Sequence, residues 1–234
     1  MLSVLDLIDA GTLELDLAAY LMARITRGAS FIVGAKPGGA GKTTVMCALL
    51  NLIPVDLEIV AATPDTVHRA VRDDTLPRSC YVCHEIGRGR YFAYLWGADL
   101  RAYFSLLDKG HLLATNLHAD DLDEAREQIC TDNLVPVSHF NACELALFVR
   151  MKRRGHDTQR RIEKVYVADS NSPHRLVFDA ETNASSLSLK YEDPVQKEWM
   201  SRCRHFLEEI LQVNIRTIEA TRQRVVAFLE SGRH

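Results

Sequence analysis

No apolar run in this chain of 234 residues approaches the length needed to cross a bilayer. The opening stretch, MLSVLDLIDAGTLELDL, carries acids but no basic residue. A signal peptide is therefore not expected, and a cytoplasmic location is. Neither sign of charge dominates: 28 Lys and Arg stand against 31 Asp and Glu, a formal net charge of -3. With so weak an overall field, direct nucleic-acid binding and nonspecific membrane binding are not expected. Internal repeats and low-complexity tracts are missing too. What remains is ordinary globular composition, 47% hydrophobic and 25% charged, at a length suited to one α/β domain with additions.

Six cysteines are present: Cys47, Cys80, Cys83, Cys130, Cys143 and Cys203. In a cytoplasmic chain they are expected to be reduced and mainly buried as small apolar residues. Cys80-Tyr81-Val82-Cys83-His84 spells the c-type haem attachment pattern. It falls on an expected strand, where residues three apart point to opposite faces, and no export signal accompanies it. Neither haem nor zinc is expected there.

The informative segment is KPGGAGKTT, Lys36 to Thr44. An apolar run, Ala29 to Gly34, precedes it, and a helix-like run, Val45 to Leu52, follows. Strand, glycine-rich loop, Gly-Lys-Thr and helix form the layout of a phosphate-binding loop, or Walker A motif. The glycines let the backbone curl so that its N–H groups face an anion, and the helix N-terminus adds partial positive charge. The expected ligand is a nucleoside triphosphate. The candidate phosphate-binding residues are Pro37, Gly38, Gly39, Ala40, Gly41, Lys42, Thr43 and Thr44. Lys42 is placed to reach the β- and γ-phosphates, and the Thr43 hydroxyl to bind Mg²⁺. One position departs from the pattern: Lys36 stands where the first glycine belongs. A plain strand-to-helix turn with incidental glycines is the competing reading. Gly-Lys-Thr-Thr at a helix start argues against it.

Periodicity and breakers predict helices over 3–8, 13–25, 43–51, 91–107 (weakened at Gly97) and 121–131, with one or two long helices from Pro194 to Ser231. A helical turn or two is predicted over 66–71. Strands are predicted at 31–33, 57–62, 80–82, 112–115, 145–151, 161–167 and 175–178. Asp120 or Asp121 is expected to start the 121–131 helix. The polar turn 153–159 joins two strands as a hairpin. Ser170 to Pro173 reads as a loop, and Asn183 to Ser188 as a linker. Strands alternating with helices over 29–150 imply a mainly parallel sheet flanked by helices, with the site at the carboxyl ends of the strands. The expected organisation is a helical lead-in over 1–28, a core over 29–180 and a helical extension over 190–234.

Two further candidates lie beyond the loop. The third strand delivers Glu85 at its end, where a carboxylate can hold the Mg²⁺ shell or polarise an attacking water. An ion pair with Arg88 or Arg90 is the competing use. The fourth strand, GHLLATNLHAD, brings out Thr115 and His118. A polar group there can sense a γ-phosphate. A helix cap or a packed ring is the alternative for His118.

At this point the chain resembles a known family. GHLLATNLHADDLDEA is similar to the histidine box of the type II/type IV secretion ATPases, the hexameric motors of pilus assembly and macromolecule export. LIDAGTLELDLAAYLMARITRGASFIVGAKPGGAGKTTVMCALLNLIP resembles their lead-in helices and phosphate loop. CYVCHEIG sits where they carry the Walker B glutamate, and ELALFVRMKRR with RRIEKVYVADS resembles their closing hairpin. The resemblance runs over about residues 5–170 and implies a RecA-like P-loop NTPase core of α/β class. It further implies an antiparallel closing hairpin, ATP and Mg²⁺ as ligands, and a ring of like subunits, in the family a hexamer. Glu85 and His118 become the implied catalytic pair, and Thr43 with Glu85 the implied Mg²⁺ ligands. Membrane-associated secretion or pilus proteins become implied partners, with peripheral placement at the inner membrane face through them.

The departures bear on activity. The family's acidic box follows its second strand, but here the equivalent positions are Ala62 and Thr63, with Asp65 beyond a proline. The arginine-rich stretch is shortened, leaving Arg69, Arg72 and Arg78 as interface candidates or as solvated surface charges. The family's large N-terminal domain has no counterpart in these residues. A motor-type ATPase is the first expectation. Nucleotide binding without turnover is the second, and a small-molecule kinase using Arg88-Gly89-Arg90 the third. The C-terminal helices are expected to pack on their own core, a docking surface being the alternative.

Overall fold

The computed structural model describes residues 2–36, 38–89, 91–154, 157–169, 172–182, 184–185, 194–213 and 215–231. Ser3 opens α1 (Val4–Asp9) with a capping box: its hydroxyl accepts the Asp6 N–H, and Asp6 accepts the Ser3 N–H. After Gly11, α2 (Leu15–Ile25) buries Leu17, Leu21 and Ile25 on one side. The predicted 13–25 helix starts two residues late, because the Thr12 and Leu13 amides donate to the Leu7 carbonyl.

β1 (Phe31–Gly34) is buried throughout and lies at the centre of the sheet. α3 (Lys42–Leu50) follows the glycine loop. β2 (Glu58–Ala61), α4 (Pro64–Arg72) and β3 (Ser79–Ile86) come next. The first of these pairs parallel with β3. Thr63 caps α4, in a reciprocal box with Thr66.

The helix predicted over 91–107 is interrupted. Tyr94–Leu95 forms a short strand, β4, parallel to β3, and only Ala98–Ser105 is helical, as α5, before a 3₁₀ turn over Leu106–Lys109. The cause is tertiary. The Ala93 carbonyl accepts the His84 N–H and the Leu95 carbonyl the Gly87 N–H, which pulls this segment into the sheet. Left-handed backbone at Ala93 (φ 55°) and Gly97 (φ 60°) makes the turns.

β5 (Leu112–Leu117) is buried at every residue. Asp121 caps α6 (Leu122–Arg126), and the predicted helix then widens into a π turn over Glu127–Asp132. α7 (Val137–Ala142) was not predicted. β6 (Leu145–Arg154) and β7 (Asp157–Val167) form the predicted hairpin, longer than expected, followed by β8 (Arg175–Asp179) and β9 (Ala184–Ser185). The last of these falls inside the predicted linker; Asn183 and residues 186–188 lie outside the described residues, as do Ser170 and Asn171 of the predicted loop and positions 155–156 of the hairpin turn. The C-terminal prediction resolves into two helices, α8 (Pro194–Gln212) and α9 (Ile218–Ser231).

Among the described residues the sheet order is β2-β3-β5-β1-β6-β7-β8-β9, with β4 on β3. From β2 to β6 the pairing is parallel, and from β6 to β9 antiparallel. Helices cover both faces. Phe31, Val33, Ala114 and Leu147 pack with α1, α2, α3, α8 and α9, whereas Ile32, Leu113, Ala146 and Phe148 pack with α4 to α7. This is the expected α/β class: a mostly parallel sheet, flanked by helices and closed by an antiparallel hairpin. The C-terminal helices pack on this core. Arg222 on α9 donates to the Asn51 and Ile53 carbonyls (2.9 and 2.6 Å), and Trp199, Phe206 and Phe228 stack.

The cysteines follow the same layering. Cys80 and Cys83 lie in the apolar layers on opposite faces of the sheet. Burial pushes the thiols of Cys80, Cys83 and Cys203 up to about 12 and raises that of Cys143 as well. Cys47 and Cys130 are only half-buried. A disulfide-exchange reagent at mild alkaline pH is therefore expected to label these two in the native protein and the other four only on unfolding. Rapid native labelling of a third thiol would contradict this burial.

Candidate phosphate-binding and catalytic site

β1 carries the chain to the carboxyl edge of the sheet and ends at Gly34. A Cβ there would lie 2.7 Å from both the Ala119 carbonyl oxygen and the Phe148 ring. This glycine permits a close approach that sequence reading did not single out. Lys36 turns outward instead of entering the loop. Its amide donates to Asp120 Oδ1 (2.8 Å), and its ammonium pairs with Glu124. That pairing raises the Lys36 pKa. The departure from the glycine pattern is thus accommodated as a surface tie to the start of α6. Pro37 lies outside the described residues.

Gly38, Gly39, Ala40 and Gly41 lead into α3. Gly39 (φ 77°) and Gly41 (φ 101°) take left-handed backbone, the second as the helix N-cap. A Cβ on Gly38 or Gly39 would meet no atom within 4 Å, so the loop borders open space. The first amides of a helix lack partners within the helix, which makes this end a seat for an anion.

Lys42, Glu85 and His118 converge, although 76 residues separate the first from the last. The Lys42 ammonium donates to Glu85 Oε1 (3.2 Å), to the Ala35 carbonyl (3.1 Å) and to His118 Nδ1 (2.9 Å). An ammonium has three N–H bonds, so all are committed. Accepting at Nδ1 leaves His118 Nε2 to face Glu85 Oε1 at 3.5 Å. Lys42 and Glu85 are buried, while His118 is half open to solvent. Burial lowers the Lys42 pKa, and the Glu85 charge opposes that fall.

Sequence parity separates two neighbours on β5. Thr115 is fully buried, aligned with Ile32 and Cys83 and away from α3. It does not share the His118 environment as expected. Asn116, which the sequence reading passed over, occupies the other face. Its Nδ2 donates to the His84 carbonyl (2.9 Å) and lies 3.5 Å from Thr43 Oγ1. Its Oδ1 is buried and has no partner among the described residues. Strand alternation was the signal that could have found it.

The loop borders a cleft of about 810 Å³. Lys42, Thr43, Thr44, Glu85 and His118 line it, with Leu2, Leu7 and Thr12 on one side and Thr158 to Arg160 on another. Neither contribution has a local sequence signal, since each arrives from a distant part of the chain. Ala62 is fully buried and Thr63 is spent on capping α4, while Asp65 is exposed and outside the cleft. Of the arginines, Arg72 donates to the His68 carbonyl and Arg78 to the Gly110 carbonyl (3.0 and 2.6 Å), while Arg69 is exposed. Arg88 lies over the Trp96 ring at 5.0 Å, not beside Glu85, and Arg90 is outside the described residues.

No family model matches the chain, and no curated protein does. Among solved structures it is similar to the VirB11 ATPase of the Brucella suis type IV secretion system in complex with sulphate. That match has 17% identity, covers 79% of this chain and 56% of that one, and has a TM-score of 0.49. It is also similar to the ATPase DotB from Yersinia pseudotuberculosis (10% identity, 95% and 62% covered, TM-score 0.49). The third is the ATPase DotB from Legionella pneumophila (15% identity, 86% and 57% covered, TM-score 0.49). This chain thus resembles secretion ATPases in structure over most of its own length while spanning 56 to 62% of theirs.

Proposed function

We propose that this protein binds and hydrolyses ATP as a motor-type ATPase assembled from like subunits. The observation that carries the reading is the convergence of Lys42, Glu85 and His118 beside a left-handed glycine loop at a helix N-terminus. An amide cradle, a buried lysine and a carboxylate are parts that phosphoryl transfer to water uses, and the imidazole adds a group that can hydrogen-bond to the transferred phosphate.

The donors suit a hard divalent cation: the Thr43 hydroxyl and the Glu85 carboxylate, backed by the unpartnered Asn116 Oδ1. Bound with the triphosphate, Mg²⁺ supplies neutralisation of phosphate charge. The residues do the rest. Lys42 exchanges its Glu85 and His118 bonds for phosphate oxygens. Glu85, released, orients the attacking water and takes its proton. His118, half exposed, hydrogen-bonds to the terminal phosphate and reports its departure. Of Arg69, Arg72 and Arg78, Arg69 is the one with no hydrogen bond or ion pair among the described residues, so it is the candidate to reach a neighbouring subunit, with a ring, in the family a hexamer, as the matching assembly. Location in the cytoplasm, with attachment to membrane-bound export or pilus proteins, belongs to the same proposal.

One observation favours a second reading. Ala62 and Thr63 leave the acidic-box position without a carboxylate, and Asp65 does not enter the cleft. The chain would then bind nucleotide and regulate or assemble without turnover. Phosphate release separates the two. The motor reading expects Mg²⁺-dependent release well above that of Lys42→Ala. Release no faster than that variant, with measurable ATP binding by the wild type, leaves the binding-only reading standing.

A further inference from the structure

We propose that Arg160 is a positioning residue for the polyphosphate, supplied to the loop by the closing hairpin; this rests on the triphosphate reading of the cleft. β6 pairs with β1 only as far as Phe148, opposite Gly34, yet runs on to Arg154. Parallel to β1, it overshoots the strand end on the side where the phosphate loop begins. Arg160 pairs with Met151, three residues past Phe148, or about 10 Å beyond the end of β1. The hairpin therefore brings β7 back alongside the loop.

The contact is specific. Arg160 Nε donates to the Gly39 carbonyl at 3.0 Å. Its Cδ would lie 3.2 Å from a Cβ on Gly41. Both left-handed glycines of the loop thus sit under this one side chain. Three described basic neighbours on the hairpin are paired: Arg150 with Glu163, Lys152 with Glu181 and Arg161 with Glu14. Arg160 has no carboxylate partner among the described residues, and it lines the cleft. Lys42 is already committed to Glu85, Ala35 and His118. Among the described residues Arg160 is therefore an uncompensated positive charge over the loop, with the rest of its guanidinium fork not engaged by them. That fork matches phosphate oxygens geometrically.

The test is calorimetric titration of the full chain with MgATP and MgADP at low and high salt. Arg160→Ala and Arg160→Gln are each expected to weaken both nucleotides about tenfold or more, as for a lost hydrogen bond to a charged group. The salt dependence of affinity should flatten in both. Arg160→Lys should recover part of the loss. Glutamine still offers an N–H to the Gly39 carbonyl but carries no charge. Wild-type affinity in Arg160→Gln would mean that the side chain only braces the loop, and would overturn the proposal. So would an unchanged salt dependence. If Arg160→Ala fails to fold, the glutamine and lysine variants carry the comparison. Wild-type binding that Lys42→Ala abolishes, with Arg160→Gln unaffected, sinks this inference alone. A wild type that binds neither nucleotide sinks the triphosphate reading with it.

Discussion

Glu85→Gln is expected to cut ATP turnover by about 10²- to 10⁴-fold, the usual contribution of a positioned general base. Affinity for MgATP should hold or improve. Glu85 lies 3.2 Å from Lys42 in a buried pair, so in the proposed site it would compete with the phosphates for that ammonium. The amide keeps the size and one oxygen of the carboxylate but neither attracts the ammonium as strongly nor accepts a proton from water. Losing turnover while retaining binding is the signature of an interaction made chiefly on the way to the transition state. Phosphate release and titration calorimetry on one preparation measure both. Unchanged turnover would remove Glu85 from the chemistry. Binding lost together with turnover would mean that its hold on the cation or the loop outweighs its part in activating water.

Gly34→Ala is expected to destabilise the protein by about 3 kcal/mol, the upper range for overpacking a filled site. For a chain of this size that corresponds to a drop in melting temperature of roughly 10 °C. The new methyl would lie 2.7 Å from the Ala119 carbonyl oxygen and 2.7 Å from the Phe148 ring. A backbone atom cannot step aside as a flexible side-chain tip can. Ala119 directly follows His118, so the displacement is also expected to pull the imidazole from Lys42 and lower nucleotide affinity in the protein that still folds. Thermal unfolding followed by circular dichroism reads the first effect and titration the second. A melting temperature within a degree or two of wild type would show that the strand end can open at little cost.

Local chemistry was legible where it is written in consecutive residues. Ser3 and Asp6 announce a capped helix, Gly-Lys-Thr-Thr announces a loop feeding a helix, and the apolar runs before Gly34 and Leu117 announce buried parallel strands. The segment from Tyr91 failed because its helical spacing was outweighed by hydrogen bonds to β3, which no local pattern records. The π turn after Arg126 escaped for a related reason. Asn133 is buried there, accepting from the Gly97 amide and donating to the Gln128 carbonyl, so partners distant in sequence shape the helix end.

By itself the sequence determined the glycine loop ahead of a helix, the order of the strands along the chain and the presence of an acid and an imidazole after two of them, because backbone curvature and strand ends depend on neighbouring residues. Only the tertiary structure decided what those groups meet. It placed Asn116 rather than Thr115 beside Thr43, turned Lys36 toward Asp120 and Glu124, and swung Arg160 over the glycines from 121 residues away. Contacts of that kind are set by strand order, pleat parity and how far a hairpin overshoots its neighbour. Those are properties of the assembled sheet, and none of them is encoded within any one stretch of chain.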